Sequence, residues 1–303
     1  MSPALASQNT AATTRWAEPA KAAGSLTVQS LTGEHEQEVL AFLARRPLHT
    51  VIMASYIRDN GLVSPLNRGT FYGCRNNEGS LEGIALIGHT TLIEGNADAV
   101  LESFARLAQE CQSAHVIMGE QETIARFWNY YAEAGQSLRL ACREVLFEQK
   151  WPVEVREKVH GLRLATFDDL DMVATVQAEM AFEECGVNPL DTDPEGFRRR
   201  CARRIEQGRV WVWVEDGRLI FKADIIAQTP EVKYLEGIWV SPEERGKGYG
   251  LRCVSQLSRT LLMESAAVTL LVNEGNKAAL ALYPRAGYKV RSCYDTIFLQ
   301  KKR

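Results

Sequence analysis

The stretch VSPEERGKGYGLRCVSQL, residues 240–257, decides the fold class of this chain. The run that leads into it, VKYLEGIWV at 232–240, is rich in β-branched and aromatic residues, which predicts a buried strand. From Leu251 to Leu262 apolar residues recur at helical spacing, which predicts a helix with one core-facing side. Three glycines and an arginine therefore join a strand to a helix. They form either a plain tight turn or a backbone cradle for a phosphate group.

The cradle interpretation has a physical basis in the start of the helix. The first N–H groups of a helix have no acceptor within it and carry partial positive charge. Glycines let a diphosphate approach this backbone, and Lys247 and Arg252 would add positive charge. The stretch contains neither G-x-x-x-x-G-K-[ST] nor G-x-G-x-x-G. It is therefore neither a P-loop nor a dinucleotide-binding fingerprint.

The overall composition is that of a globular protein of two domains. The chain has 303 residues, of which 46% are hydrophobic and 24% charged, and its net charge is −3. This charge gives no reason to expect nucleic acid or an anionic membrane as a partner, and no apolar run is long enough to span a bilayer. The arginine-rich segment at 197–204 is interpreted as a solvated helix face.

Two further features concern location and metal binding. Residues 1–25, rich in Ala, Ser and Thr, are predicted to be a disordered tail without a secretory signal. The seven cysteines are widely scattered and the five histidines form no close pair. We therefore expect no disulfide framework and no metal site, in keeping with a reducing cytoplasm.

Strand and helix signals alternate through two similar halves. The segments at 123–140 and 276–290 each read as a helix with an aromatic, then Ala-Gly, then a strand, which indicates an internal duplication. We place the boundary in the polar segment 148–159, giving domains at 26–150 and 151–303. The run at 81–94 is predicted to be one strand, and the Asp-Gly at 215–218 a hairpin turn. The pattern predicts a mixed α/β fold.

Two motifs of the second half resemble those of a known family. RGKGYG at 245–250 resembles the acyl-CoA signature [QR]-x-x-G-x-[GA] of the GNAT superfamily of N-acetyltransferases. VNEGNKAALALYPRAGY at 272–288 resembles the second motif of that family, and the two occur in the usual order and separation. The resemblance covers residues 155–303. It implies two tandem GNAT-like domains, each a mostly antiparallel sheet flanked by helices.

The two halves differ in the glycine motif. The first half lacks R-x-x-G-x-G between the segments GHTTLIE and ADAVLESFARL. The chain in this respect resembles bacterial two-domain acetyltransferases whose N-terminal half has lost its donor site. We therefore expect one acetyl-CoA site per chain, with the N-terminal half shaping the acceptor pocket or stabilising the core.

The resemblance also implies roles for single residues. Backbone N–H groups of the loop would bind the pyrophosphate of acetyl-CoA: those of Arg245, Gly246, Lys247, Gly248, Tyr249, Gly250 and Leu251. The pantetheine arm would lie along Ile238, Trp239 and Val240, with the Val240 N–H polarising the acyl carbonyl. Tyr283 would protonate the departing thiolate, or else is a packed aromatic. Asn273 and Asn276 fall on the asparagines of the second motif; Asn276 is also a candidate helix N-cap.

Four acidic residues are candidates for the acceptor side. Glu236 is the leading general base, because it lies on the strand before the loop and shares a face with Val240. The alternative for Glu236 is a salt bridge to a lysine, such as Lys222 or Lys233. Three further carboxylates would hold the amine or are simply solvated acids: Glu183, Glu184 and Asp224.

The function expected from these residues is acyl transfer. A small-molecule or peptide amine would attack acetyl-CoA directly in a ternary complex, without a metal. The alternative is a non-catalytic protein that senses acyl-CoA; it would bind the thioester without turning it over.

Overall fold

The structure is a computed structural model, and it describes residues 26–155 and 157–300. The tail predicted at 1–25 lies outside the described residues. The N-terminal half comprises β1 Thr27–Ser30, α1 Glu36–Leu43, α2 Pro47–Asn60, β2 Gly69–Arg75, β3 Leu81–Gly88, β4 Thr90–Glu94, α3 Asp98–Gln109, β5 Val116–Glu120, α4 Gln121–Tyr131 and β6 Leu138–Gln149. The C-terminal half comprises β7 Leu162–Leu164, α5 Leu170–Cys185, α6 Pro189–Thr192, α7 Pro194–Glu206, β8 Val210–Glu215, β9 Arg218–Gln228, β10 Val232–Val240, α8 Tyr249–Leu261, β11 Ala267–Asn273, α9 Lys277–Arg285 and β12 Lys289–Leu299.

One predicted strand is two strands in the structure. The run 81–94 breaks after Gly88, and β3 and β4 pair antiparallel with Leu86 opposite Leu92. At Gly88 the chain passes so close to β2 that an added Cβ would lie 2.2 Å from the Arg68 carbonyl oxygen. The prediction of one strand was wrong because apolar periodicity continues through the turn. The hairpin turn at 215–218 is confirmed: Asp216 and Gly217 both have positive φ, between the antiparallel strands β8 and β9.

The described strands form one continuous sheet in the order β1-β2-β3-β4-β5-β12-β6-β11-β10-β9-β8-β7. The two halves exchange their last strands. β6 pairs with β11, with Leu146 opposite Leu271, and β12 pairs with β5, with Ile297 opposite Ile117. Among these strands, only the β4–β5 and β10–β11 pairs are parallel. The tandem, mostly antiparallel organisation is confirmed. The boundary near 148–159 stays a prediction, since backbone hydrogen bonds join the halves across it.

The two faces of the sheet are covered by different elements. Side chains alternate along β10, so Leu235 faces a core that includes Leu257 of α8 and Tyr283 of α9. Tyr234 faces the other way and packs in a cluster with Val51 of α2. The N-terminal half therefore supplies the helix that covers this second face of the C-terminal strands. Among the described helices, none is long and apolar enough to cross a membrane.

A buried ion pair links α2 to the C-terminal half. Arg209 donates to both carboxylate oxygens of Asp59 at 2.7 Å, and the Arg209 side chain is almost fully buried. Removing one partner of such a pair leaves the other charge desolvated. Arg209→Met is therefore expected to lower the free energy of unfolding by about 3 kcal/mol, measured by urea denaturation.

The matched control is Arg106→Met. Arg106 pairs with Glu102 on the exposed surface of α3, so its replacement is expected to leave the free energy of unfolding nearly unchanged. Equal losses from the two variants would contradict a structural role for the Arg209–Asp59 pair.

Candidate active site

The two central strands of the C-terminal half separate partway along their length. β10 and β11 pair in parallel from Val232 opposite Ala267 to Leu235 opposite Leu270, and the pairing ends there. β11 continues to Asn273 paired with β6, whereas β10 continues to Val240 paired with β9. The register of β10 shifts between Glu236 and Trp239, at a bulge. The result is a gap between the strands that opens toward the glycine loop.

The bulge breaks the two-residue alternation, so Val240 lies on the face of Leu235, toward the α8 core, and Glu236 lies on the other face. The expectation that Glu236 and Val240 share a face was therefore wrong.

The glycine loop ends at the start of α8. Gly248 is the N-cap residue, with φ of 83° and ψ of 0°, a left-handed conformation that favours glycine. The N–H groups of Tyr249, Gly250 and Leu251 form the first turn and have no acceptor within the helix. An added Cβ at Gly248 would meet nothing within 4 Å, so the space in front of this turn is open. These residues fit a diphosphate.

Basic side chains lie beside this turn. The Lys247 ammonium is 2.8 Å from Glu244, and the Arg252 guanidinium is 3.3 Å from Glu157 and lies over the Tyr249 ring. Both basic side chains remain partly exposed. An anion at the turn would thus meet two cations that are held nearby by surface ion pairs.

The end of β10, the start of α8 and helix α9 converge. An added Cβ on Gly250 would lie 3.1 Å from Leu282 and 3.3 Å from Val240, so only glycine fits without displacement. Arg245 donates from Nε to the Val240 carbonyl at 3.2 Å and ties the loop to the strand end. Val240, Arg245 and Gly250 are therefore brought together, and Tyr283 packs in the same core cluster as Val240 and Leu251.

The backbone of Val240 is oriented toward the gap. The Ser241 N–H donates to the Ile220 carbonyl of β9 at 2.9 Å. Successive N–H groups of a strand point to opposite edges, so the Val240 N–H is directed away from β9. By the same alternation Ile238 turns its backbone to this free edge and Trp239 to β9. An extended chain in the gap would therefore find donors and acceptors at Ile238 and Val240.

Tyr283 is a buried phenol on α9. Its ring packs against Phe147 and Tyr288, at centroid distances of 5.8 and 5.6 Å. Among the residues that the structure describes, none forms a hydrogen bond with its hydroxyl, whereas the Tyr288 hydroxyl lies 2.6 Å from that of Ser258. Burial raises the pKa of Tyr283 well above its usual value, so the phenol stays protonated. It is a packed aromatic whose hydroxyl is still available to a ligand.

The two asparagines of the second motif have local structural roles. Asn276 caps α9, with its Oδ1 accepting from the Ala279 N–H at 3.0 Å. Asn273 accepts from the Gly275 N–H at 2.8 Å and fixes the turn that follows β11. The capping alternative for Asn276 is thus present in the structure. A contact of either residue with the donor stays a prediction.

Glu236 lies at the mouth of the gap and forms no ion pair with a basic side chain among the described residues. Water reaches its side chain, but protein surrounds the carboxylate on most sides. Burial, followed by the negative charge of Glu184, raises the pKa of Glu236 to about 7. The two lysines of the salt-bridge alternative pair elsewhere, Lys222 with Asp224 at 2.8 Å and Lys233 with Glu264. A carboxyl group with such a pKa can accept a proton near neutral pH.

Two more carboxylates share this region. Burial, and next the charge of Glu144, raises the pKa of Glu184 at the end of α5. Burial raises the pKa of Glu144 too, with a further contribution from Glu236, while a hydrogen bond from Thr296 at 2.5 Å opposes the shift. Sequence reasoning missed Glu144. It comes from β6 of the N-terminal half, and no local motif marks it.

The other acidic candidates are placed differently. Glu183 and Glu184 are both exposed on α5, but neighbouring positions of a helix face about 100° apart, so the two side chains point in different directions. Asp224 lies opposite Glu236 in the β9–β10 register but is fully buried, between Lys222 and Arg204. Lys222 also donates to Gln177 at 2.6 Å and to the Gly237 carbonyl. Asp224 thus anchors a buried network, and its contact with an acceptor stays a prediction.

The corresponding gap of the N-terminal half has no glycine loop. β4 ends at Glu94, and α3 starts only four residues later at Asp98 with Ala97 as its N-cap. The acidic Asp98 in the first turn pairs with Arg126. A carboxylate at this helix start would repel a diphosphate. Among its described residues, the N-terminal half thus lacks the glycine turn that precedes α8 in the C-terminal half.

The arginines of α7 are engaged with neighbouring side chains. Arg198 pairs with Asp171, Arg200 with Asp193 at 3.1 Å and Arg204 with Asp224 at 3.4 Å. This arrangement agrees with the interpretation of the segment as a helix face. Within the described residues, no group of three or more His, Cys, Asp or Glu side chains is arranged to hold a metal ion.

Comparison with known proteins assigns the second half to a family. The model of the family described as "Acetyltransferase (GNAT) family" matches residues 172–288. This segment belongs to the GNAT family. It contains β10, the glycine loop, α8 and α9, so the GNAT domain includes the gap and the predicted cradle. No curated protein is similar enough to the chain to count as a match.

Solved structures extend the GNAT fold to most of the chain. A Drosophila protein has 14% identity and a TM-score of 0.65, over 91% of this chain and 99% of its own. A tandem GNAT protein from the clavulanic acid biosynthesis pathway has 13% identity and a TM-score of 0.58, over 92% and 99%. A GCN5-related N-acetyltransferase from Sphaerobacter thermophilus has 13% identity and a TM-score of 0.56, over 92% and 96%. At these identities the likeness shows the fold, which is that of tandem GNAT proteins.

Proposed function

We propose that this protein is an acetyl-CoA-dependent N-acetyltransferase that transfers the acetyl group directly to an amine. The GNAT domain supports an acyl-CoA-dependent acyltransferase in general. The observation that carries the finer proposal is the gap between β10 and β11. It leads from an open glycine turn at the start of α8 to Glu236, a carboxyl group with a pKa of about 7.

Backbone groups would hold the donor. The N–H groups of the α8 first turn would bind the pyrophosphate, with Lys247 and Arg252 nearby. The free edge of β10 at Ile238 and Val240 would pair with the amides of the pantetheine arm, as an added strand does. The Val240 N–H would then donate to the acetyl carbonyl oxygen as negative charge develops on it.

Side chains would move the protons. Glu236 would take a proton from the attacking ammonium, directly or through water, and so supply a neutral amine. The amine nitrogen forms a bond to the carbonyl carbon, and the bond from that carbon to sulfur breaks. Tyr283 would donate its hydroxyl proton to the departing thiolate. The proton that the nitrogen loses as the amide forms would return to the Tyr283 oxygen, directly or through water, so that the products are an amide and CoA and Glu236 keeps one proton. Each role uses a protonation state that the structure favours: a titratable carboxyl group and a neutral phenol.

The proposal is tested by measuring the release of CoA thiol from acetyl-CoA in the presence of a panel of amines. We expect turnover that depends on the amine and a product whose mass is increased by one acetyl group. Saturable binding of acetyl-CoA without turnover on any amine would favour a sensor instead. Absence of binding would contradict both functions.

Tyr283→Phe is expected to lower kcat about 100-fold, because the thiolate then leaves without a proton donor. The Kd for acetyl-CoA, measured by calorimetry, should stay within about twofold, because the ring packing against Phe147 and Tyr288 is retained.

Tyr130→Phe is the matched control. Tyr130 is a partly buried residue of α4 in the N-terminal half, and its loss of a hydroxyl should leave kcat unchanged. A Tyr283→Phe enzyme with the wild-type kcat would remove Tyr283 from the mechanism while leaving the donor site intact.

A further inference from the structure

A cavity lies between α2 and the sheet, on the face opposite α8. It encloses about 620 Å³ of empty space, part of it open to solvent. Its walls come from both halves: Ile52 of α2, Met118 of β5, Leu146 of β6 and Leu271 of β11 all line it. The strand exchange therefore builds the cavity, since it places β12 and β6 in the middle of the floor.

The cavity adjoins the carboxylates of the acyl-transfer gap. Tyr234 lines it and lies two residues before Glu236 on the same face of the sheet as the strand nears the bulge. Tyr294 also lines it, directly opposite Glu144 in the β12–β6 register. Burial raises the pKa of Tyr234, and the charges of Glu236, Glu144 and Glu184 add to this, so all three carboxylates lie near its ring. The end of the cavity lined by Tyr234 and Tyr294 therefore lies beside the strand positions of Glu236 and Glu144, which are not among its lining residues.

The charged groups that line the cavity pair with one another. Arg46 pairs with Glu94 at 3.2 Å and with Glu120, so two carboxylates share the one guanidinium among the lining residues. The His49 ring nitrogen lies 2.9 Å from the Tyr294 hydroxyl, and burial lowers the pKa of His49, which keeps its ring neutral. Among the described residues that line the cavity, no cation is left without an acidic partner, and a ligand carboxylate would meet negative charge.

The remaining walls are apolar. Leucine, isoleucine, valine and methionine side chains dominate between the Tyr234 end and the Arg46 network. Such a surface stabilises a hydrocarbon chain or an aromatic ring by removing it from water. It offers few hydrogen-bonding groups to a sugar or to a second ammonium.

We propose that this cavity is the acceptor chamber of the enzyme and that it takes an alkyl or arylalkyl amine that carries no carboxylate. The inference rests on the proposed acyl-transfer function. The ammonium lies at the Glu236 and Glu144 end, and the apolar body lies along Ile52, Met118 and Leu271. The N-terminal half thereby determines which amine is acetylated, although it has no donor site of its own among the described residues.

The first experiment compares matched amines on the full chain. We expect kcat/KM for 2-phenylethylamine to exceed that for phenylalanine about 100-fold. We likewise expect kcat/KM for hexylamine to exceed that for 6-aminohexanoate. In each pair the poorer substrate would bring its carboxylate close to the carboxylates of the protein, which is unfavourable. Spermidine should be a poor substrate. Equal or better turnover of the carboxylate-bearing or polycationic partner would overturn the inference and leave the acyltransferase function standing.

The second experiment measures binding without turnover. The ¹⁹F NMR signal of 4-fluorophenethylamine should shift on binding to the wild-type chain, and Ile52→Trp, which fills the cavity, should weaken this binding at least tenfold. Met118→Trp fills it from the opposite wall and should act in the same way if either variant folds poorly. Met263→Trp adds the same indole at an exposed position of the turn after α8 and should change nothing.

The outcomes separate the two claims. Acetyl-CoA binding without amine binding, or amine binding that neither cavity-filling variant weakens, would overturn the chamber assignment alone. Failure of acetyl-CoA to bind would overturn the acyltransferase function and, with it, the acceptor role of the cavity.

Discussion

Replacing Gly248 by valine is expected to weaken acetyl-CoA binding about 100-fold. The branched side chain would occupy the open space in front of the α8 first turn, where the N–H groups of Tyr249 and Gly250 are available. Loss of one or two hydrogen bonds to a charged phosphate costs about 1.5–3 kcal/mol each, which accounts for the size of the effect. Calorimetric titration with acetyl-CoA measures it.

Gly79→Val separates this effect from backbone strain. Gly79 lies in the turn between β2 and β3 with φ of 80°, close to the 83° of Gly248, and an added Cβ there also meets nothing within 4 Å. Both variants should lose about 1–2 kcal/mol of stability, because a side chain is strained in this conformation. Only Gly248→Val should lose the ligand. If Gly248→Val bound acetyl-CoA as the wild type does, the cradle would not be the phosphate site.

Glu236→Gln is expected to lower kcat about 100-fold and to change the pH profile. A general base works only when deprotonated, so wild-type kcat/KM should rise as the pH passes about 7, the pKa of Glu236. In the variant this rise should vanish. Activity should then increase only at higher pH, as the free amine itself loses its proton near pH ~10.

The matched control is Glu179→Gln, which removes a carboxylate from an exposed position of α5. Its pH profile and kcat should be those of the wild type. If kcat/KM of Glu236→Gln still rose near pH 7, another group would be the general base. Glu184 and Glu144, whose pKa values burial also raises, would be the next candidates.

The donor side of the site is predictable from sequence because it is local. A phosphate cradle needs consecutive backbone N–H groups at a helix start, and the glycines, the strand before them and the helix after them are contiguous in the chain. The same holds for the α9 segment, whose cap at Asn276 and phenol at Tyr283 are fixed by helical spacing. The residue patterns at 245–250 and 272–288 are therefore sufficient to indicate the GNAT family.

Partner choice among charged residues is less local, and sequence left it open. The sequence offers Lys222 and Lys233 as partners of Glu236, but in the structure Lys222 pairs with Asp224 and Lys233 with Glu264. Both lysines are thus engaged away from Glu236, and burial can raise the pKa of its carboxyl group. A shift of the strand register by one residue would have moved each of these side chains to the opposite face of the sheet.

The sequence by itself determined the tandem GNAT architecture and the glycine turn at the start of α8, because periodicity and backbone geometry act over a few neighbouring residues. Tertiary structure alone decided the exchange of β6 and β12, the place of Glu144 beside Glu236 and the cover that α2 gives to the C-terminal strands. These features depend on strand pairing between residues far apart in the chain. Such pairing is selected by the packing of the whole sheet, and no short pattern of residue types records it.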